Sequence, residues 1–356
     1  MMKKLLKLVC GIVLALVAVV VVLLGVLTVA EYRPKDTESV LADHSVEAVF
    51  QAGEPMTLVS WNIGYGALGD NADFFMDGGS SVYTADRERV TRNLEGIRDE
   101  LSGLGADIVF LQETDVSSSR SYSTDQRPLL KVSGSYPADA FAYNFNSLYV
   151  PYPVPPIGHV ESGLYTLSRA DIRQADRIQL PCPFSWPVRV VNLKRCLLVS
   201  RIPLKGSEKE LVLINLHLEA YDDGTGKIEQ TKQLLQVMQA EVAAGNYVIA
   251  GGDFNQTFSG VDLSAYPQTE EGGWMPGIID QADFGDGYTL LMDPRVPTCR
   301  SLKQALAGAD PDHFQYYVID GFIVSDNVRV DSCETQDLRF VCSDHNPVKL
   351  TFTLLP

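Results

Sequence analysis

The chain has 356 residues, 46% of them hydrophobic, with 29 basic and 45 acidic side chains and a formal net charge of −16. A protein that grips long nucleic acid normally presents a Lys/Arg surface to displace counterions, so this balance disfavours nucleic acid as the main partner unless a metal or a local basic patch reverses the sign. The six cysteines show no CxxC or Cys/His spacing, which argues against a structural zinc site.

At the N-terminus MMKKLLK precedes LVCGIVLALVAVVVVLLGVLTVA, residues 8–30, an unbroken apolar run of 23 residues. At about 1.5 Å rise per residue it reaches across the roughly 30 Å of bilayer hydrocarbon, which predicts a transmembrane helix. Lys3, Lys4 and Lys7 precede the span, so the positive-inside tendency keeps the N-terminus cytoplasmic and puts residues 31–356 outside. The alternative is a secretory signal cleaved near Ala30, although the apolar core of such signals is shorter, roughly 7–15 residues. Residues 31–54 are polar, include Pro34, His44 and Gly53, and read as a stalk. Residues 55–356 then read as one large folded domain. Beyond the anchor, residues 31–356 carry 26 basic and 45 acidic side chains, a formal charge of −19. Cys333 and Cys342 flank a short connection and are either bridged or buried as free thiols.

The same pattern then occurs twice. The apolar strand MTLVSWNI (56–63) leads into a helix in which Val90, Leu94, Ile97, Leu101 and Leu104 recur at helical spacing, and the strand IVFLQET closes the unit. Later LVLINLHL (211–218) leads into a helix across IEQTKQLLQVMQAEVAAG and then into YVIAGGDFN (247–255). These strands are too continuously apolar to face solvent. Two such units predict a four-layer α/β/β/α sandwich, in which two mixed sheets pack together and helices cover their outer faces.

Chemistry concentrates where these strands stop. Apolar strands end in Trp61-Asn62, Gln112-Glu113, His217 and Asp253-Phe254-Asn255. Each alone is common turn chemistry; together they mark one edge as a site. In YYVIDGFIVSD, Asp320 interrupts an apolar strand, where an unpaired carboxylate is expensive to bury. The segment VCSDHNPV supplies Asp344 and His345 some twenty residues later, followed by the strand VKLTFTLL. The separation suits a return strand beside the first, with Asp320 meeting His345 across neighbouring strands and holding the imidazole nearer its cationic form.

The ordered series WNI, QET, SGLYTLSR, NLHL, GGDFN, IDGFIVS and SDHNP, spread over about residues 56–354, resembles the deoxyribonuclease I-like, or endonuclease/exonuclease/phosphatase, superfamily. That resemblance implies a four-layer sandwich that cleaves phosphate esters with a divalent cation, usually Mg2+, with Mn2+ or Ca2+ as substitutes. Carried over position by position, it makes Glu113 the principal metal ligand with Asn62 beside it, in keeping with the few oxygen ligands that Mg2+ takes from protein. It implies that Asp253 and Asn255 position and deprotonate the attacking water or hold a second cation, that His217 and His345 contact the phosphate oxygens with Asp320 orienting His345, and that Asp344 sits next to the metal-bound water. Ile63-Gly64 follow Asn62 where the apurinic-site nucleases of this family carry an aspartate, and His217 is similar to the deoxyribonuclease and sphingomyelinase branches instead. A DNA-repair role is therefore disfavoured.

Residues 135–164 carry a run of Tyr and Phe followed by four prolines between 151 and 156. They read either as a contact surface for bases or a lipid interface, or as a strand with a polyproline connection. Arg300 and Lys303 are the nearest basic candidates for phosphate contact, and Glu161 is a candidate partner for His217 whose register the sequence leaves open. The leading reading is a membrane-anchored, extracytoplasmic, metal-dependent phosphodiesterase or phosphatase acting on a lipid headgroup or a small phosphorylated metabolite. The alternatives are an extracellular nuclease with the same machinery and a non-catalytic binding module on the same fold. No protein partner is inferred.

Overall fold

The protein is described here by a computed structural model covering residues 2–42, 48–131, 135–270 and 272–356; His44 lies outside the described residues. The apolar run forms helix α1 (Met2–Val29), followed by β1 (Thr37–Val40), β2 (Pro55–Asn62), α2 (Arg87–Leu104) and β3 (Ile108–Asp115). A single turn, α3 (Arg127–Leu130), leads to β4 (Ala138–Val150), β5 (Gly158–Ser168), β6 (Gln174–Gln179), β7 (Cys196–Pro203) and β8 (Glu210–His217). Then come α4 (Thr225–Ala243), β9 (Tyr247–Asp253), and the short β10 (Gln256–Phe258) and β11 (Gly277–Ile279), which pair with each other. Another single turn, α5 (Gln281–Phe284), precedes β12 (Tyr288–Leu291), and β13 (Cys299–Arg300) pairs with β14 (Tyr316–Tyr317). The chain closes with β15 (Asp320–Ser325), β16 (Val328–Thr335) and β17 (Val348–Leu354).

Two mixed sheets result, one ordered β16-β17-β2-β3-β5-β4 and the other β1-β6-β7-β8-β9-β15-β12. Each contains one parallel pair, β2 with β3 and β8 with β9, and these are the strand-helix-strand units legible in the sequence. Successive side chains of a strand point to opposite faces, so Leu58 and Phe110 pack between the sheets with Leu198, Ile249 and Phe322. Their neighbours Val59 and Val109 face outward onto Val90, Leu94, Ile97 and Leu101 of α2. On the far side Val212, Ile214 and Val248 meet Leu234 and Met238 of α4. The four layers are thus α2, sheet, sheet, α4.

The ends of α2 follow from its sequence. The Asp86 side chain accepts from the Arg89 N–H at 2.7 Å, and Gly105 closes the helix in the left-handed region, φ 58°. Residues 31–42, read from the sequence as part of a stalk, contribute β1, which pairs antiparallel with β6 along the edge of the second sheet. All six cysteines are free thiols.

Two glycines before Asp253 are required by close approach. A Cβ on Gly252, whose φ is +147°, would stand 1.9 Å from the Leu216 carbonyl oxygen on β8. One on Gly251 would stand 2.4 Å from the Phe322 ring on β15. The end of β9 that delivers Asp253 can therefore be built only from residues without side chains. Replacing Gly252 by Ala should cost on the order of 3 kcal/mol or more by overpacking and backbone strain, read as a lowered midpoint in denaturant unfolding.

Candidate active site

The C-terminal ends of β2, β3, β8 and β9 and the start of β15 converge with the loop before β17 on a cleft of about 340 Å³ lined by Asn62, Glu113, His217, Asp253, Asp344 and His345, among others. Each sheet supplies part of the site, so the packing between them sets its geometry. Near this end Gln112 Nε2 donates to Asn215 Oδ1 across the interface at 2.8 Å, a fully buried polar pair that ties β3 to β8.

Glu113 sits where β3 slips its register against β5 between Leu111 and Thr114, and its φ is 54°. The irregularity turns a residue that simple alternation would bury in the sheet toward the cleft. Asn255 also has a positive φ, 50°, in the turn after β9. Left-handed backbone is uncommon in non-glycine residues, and its presence at both positions is the kind of strain that surrounding structure must hold in place.

Asn62 stands between the two acids. Its Nδ2 donates to Glu113 Oε1 at 3.1 Å and to Asp253 Oδ2 at 3.0 Å, while its Oδ1 accepts from the Gly64 N–H at 3.1 Å. Asp253 Oδ1 in turn accepts from the Asn255 N–H at 2.9 Å, and the Asn255 amide donates to the Leu218 carbonyl. Asp253 Oδ2 is thereby left facing both histidines, 3.3 Å from His217 Nε2 and 3.7 Å from His345 Nε2.

His345 Nδ1 and Asp320 Oδ2 are 2.8 Å apart and almost fully buried. The partnership expected from the sequence forms, but not between neighbouring strands: Asp320 begins β15 in the second sheet, while His345 precedes β17 in the first. Trp61 Nε1 donates to the His345 carbonyl at 2.8 Å and the Ser343 hydroxyl accepts from its N–H, so backbone and ring are both held. Asp253, Asp320 and His345 also bring ligand-type atoms within 4.8 Å of one another. The Asp320–His345 contact has hydrogen-bond length, which makes Asp320 an orienting carboxylate in this arrangement.

The two imidazoles are driven in opposite directions. Burial opposes charge on His345, but Asp320, Cys299 and Asp253 outweigh it and hold the group well above the ordinary histidine range. His217 is also buried, with Arg195, His345 and Arg120 adding positive charge, and is pushed well below that range. Its Nδ1 has no hydrogen-bond partner among the described residues. Burial raises Asp253 to about 6, with Asp320 adding to it against the pull of His345. Asp344 is pushed to about 7, again first by burial, with Glu113 raising it further against His345 and Arg300.

Several groups here carried no strong sequence signal. Arg120 pairs with buried Asp115 at 3.0 Å and lies 3.6 Å from the centre of the Tyr65 ring, at the cleft wall. Arg195 stands 3.6 Å from Glu219, and both are buried and line the cleft. Their basicity was legible, their convergence was not. Arg300 also lines the cleft, but its guanidinium is buried and donates to the carbonyls of Gly69 at 2.6 Å and Ser301 at 2.9 Å. Lys303 is exposed. Glu161 lies 3.6 Å from His159, and the carboxylate nearest His217 is Asp253.

Two packed mixed sheets with flanking helices and a cleft at their common end form the α/β sandwich of one family of metal-dependent phosphoesterases. The chain belongs to the endonuclease/exonuclease/phosphatase family, whose sequence profile matches residues 59–345. Its fold is similar to that of an endonuclease/exonuclease/phosphatase from Beutenbergia cavernae DSM 12333, with TM-score 0.55 and 16% identity over 85% of this chain and 72% of that one. An endonuclease/exonuclease/phosphatase family protein from Leptotrichia buccalis C-1013-b gives TM-score 0.53 at 13% identity over 84% of this chain and 100% of that one. TDP2 from Caenorhabditis elegans gives 0.50 at 17% over 85% and 75%. Among curated proteins no match was found.

If Asp320 is what keeps His345 charged, Asp320→Asn should move the imidazole titration down, toward the neutral form that burial favours; nitrogen-15 NMR of the ring reads this directly. The sign for stability follows. A raised histidine contributes fully below its unfolded value of about 6.5, and the contribution is lost as pH rises through the folded value. Asp320→Asn should remove that dependence.

Proposed function

We propose that the protein is a membrane-anchored, divalent-metal-dependent phosphoesterase whose catalytic domain lies outside the cytoplasm, with Asn62 and Glu113 holding the cation. The observation that carries this reading is the convergence of Glu113, from one sheet, with Asp253, His217 and the Asp320-oriented His345 around one cleft. The donor set fits the cation. Glu113, Asp253 and Asp344 face one cleft in which burial raises two of them, and Asn62 points N–H groups at Glu113 and Asp253 where positive charge is wanted. Oxygen-rich sites of this kind suit a hard cation such as Mg2+, and Asn62 would join Glu113 as a ligand by turning its amide over, so that Oδ1 leaves the Gly64 N–H and faces the site.

A bound cation would supply Lewis-acid polarisation of a phosphoryl oxygen and lower the pKa of coordinated water. The chain's own groups supply the rest. Asp253 Oδ2, set by the Asn255 N–H on its other oxygen, orients the attacking water and accepts its proton. His345, fixed by Asp320, donates through Nε2 to a phosphoryl oxygen and offsets the charge growing there, and neutral His217 donates a second hydrogen bond. Asp344 stands beside this water position. The new P–O bond forms as the ester P–O bond breaks, and the departing oxygen takes its proton from solvent.

The cleft wall argues against a nuclease. Asp77, Glu219 and Glu270 line it, and its arginines, Arg120, Arg195 and Arg300, already face Asp115, Glu219 and backbone carbonyls, so a polyanionic strand would meet uncompensated negative charge. Every group of the expected catalytic set converges on or supports the cleft, which a binding module would not require.

His345→Ala should lower turnover on the order of 10²–10⁴-fold against bis(para-nitrophenyl) phosphate with Mg2+, measured on folded protein well below its unfolding midpoint, which falls because Asp320 is left buried without its partner. Equal turnover in a folded protein would remove His345 from the reaction. Glu113→Gln should shift the Mg2+ activation curve to higher concentration, and an unshifted curve would exclude it as a ligand.

A further inference from the structure

The exit of the span is built into the wall of the cleft. Helix α1 is exposed from Met2 to Val22, and only its last two turns meet the domain, where Leu27 is buried. The Trp186 indole N–H donates to Thr28 Oγ1 at 3.1 Å. Immediately after the helix Glu31, its side chain only 3% exposed, receives Arg33 at 3.0 Å, Arg189 at 3.2 Å and Lys194 at 3.3 Å. Tyr32 packs edge-on against Tyr143 with Arg177 over its ring, and β1 then joins the sheet. The chain from Leu27 to Val40 is therefore pinned to the domain at successive points.

The segment that receives the helix end also lines the cleft. Phe184 and Leu193 form part of the cleft wall, and Trp186, which touches Thr28, is two residues from Phe184, a reach of at most about 7 Å. The apolar run ends at Ala30, so Thr28 and Trp186 stand at the level where hydrocarbon gives way to headgroups, the depth at which Trp is favoured. Further exposed apolar side chains lie on this segment and a second one. Trp186 is 54% exposed, with Val188 beside it, and in the β4–β5 connection Tyr152 is 70% and Val154 93% exposed. A small apolar cluster of Phe145, Val150 and Val160 with Ile157, Val191 and Leu193 joins the two segments. Phe145, Ile157 and Leu193 of that cluster also face the cleft.

We propose that the substrate is a phosphate ester of a lipid in the same bilayer that holds α1, entering the cleft between the segments around Trp186 and Val154. This rests on the phosphoesterase reading above and narrows its substrate. The rim dips into the interface, the apolar wall of Phe145, Ile157, Phe184 and Leu193 accommodates the lipid's apolar portion, and the phosphate reaches His217, His345 and Asn62. Water adds to phosphorus, the ester P–O bond breaks, and one product stays in the bilayer.

The test uses the full chain reconstituted with Mg2+ into vesicles of phosphatidylcholine, phosphatidylglycerol and phosphatidic acid in equal parts. Release of headgroup or phosphate should be at least about ten-fold faster for lipid in the protein's own vesicles than for lipid offered in separate ones, because anchoring fixes the effective concentration. Val154→Asp and Trp186→Ser lie outside the cleft lining, and should lower lipid cleavage about ten-fold while bis(para-nitrophenyl) phosphate is hydrolysed as before. Hydrolysis of the soluble ester with no lipid cleavage, equal rates in the two vesicle arrangements, or rim variants that leave lipid cleavage unchanged would each overturn the proposal. Loss of activity toward both lipid and soluble ester in the unsubstituted protein would instead overturn the phosphoesterase reading.

Discussion

The contact on which the site depends is the buried hydrogen bond between His345 and Asp320, because it joins one sheet to the other. Asp320 opens β15 beside β9, and His345 precedes β17 beside β2. A slip of either sheet by one residue would turn its strand-end side chains to the opposite face. The interlayer core and the Gln112–Asn215 bond hold that register, and the glycines before Asp253 let β8, β9 and β15 approach closely enough to complete it.

That arrangement concentrates charge where water is scarce. Asp253, Asp320, Asp344, His217 and His345 are all nearly inaccessible, and isolated charges there would be costly. The protein offsets the cost by mutual placement. Asp320 Oδ2 and His345 Nδ1 pair with each other, Asn62 bridges Glu113 and Asp253, and Arg120 and Arg195 each stand beside a buried acid. The histidines thereby acquire opposite character, one held cationic by a carboxylate and the other kept neutral by burial and neighbouring positive charge. Two donors of different kinds suit a phosphate whose oxygens differ in charge as the reaction proceeds.

The approach to the site is tied to the N-terminal apolar helix in the same way. Residues 31–42 do not trail between that helix and the domain but dock on the domain, through Glu31 and its basic partners and through β1. The segment bracketed by Phe184 and Leu193 serves both the helix end and the cleft wall.

Much of this was legible from residue order. Periodicity located both strand-helix-strand units, because 3.6-residue and two-residue patterns differ wherever one face is buried. The abrupt polar ends of apolar strands marked Asn62, Glu113, His217, Asp253 and Asn255, and the cost of burying Asp320 pointed to His345 as its partner. What the linear chain could not express was which sheet each strand joins. Asp320 and His345 meet across layers, Glu161 lies beside His159, Arg300 is engaged by backbone carbonyls, and Arg120 and Arg195 reach the cleft from segments without distinctive patterns. The sequence by itself determined the long apolar N-terminal helix, the layered architecture and the kinds of chemical group available, since these follow from local periodicity and composition. Tertiary structure alone decided which groups share a hydrogen bond, which imidazole carries charge and how close the cleft stands to the span, because these depend on distances between residues far apart in the chain.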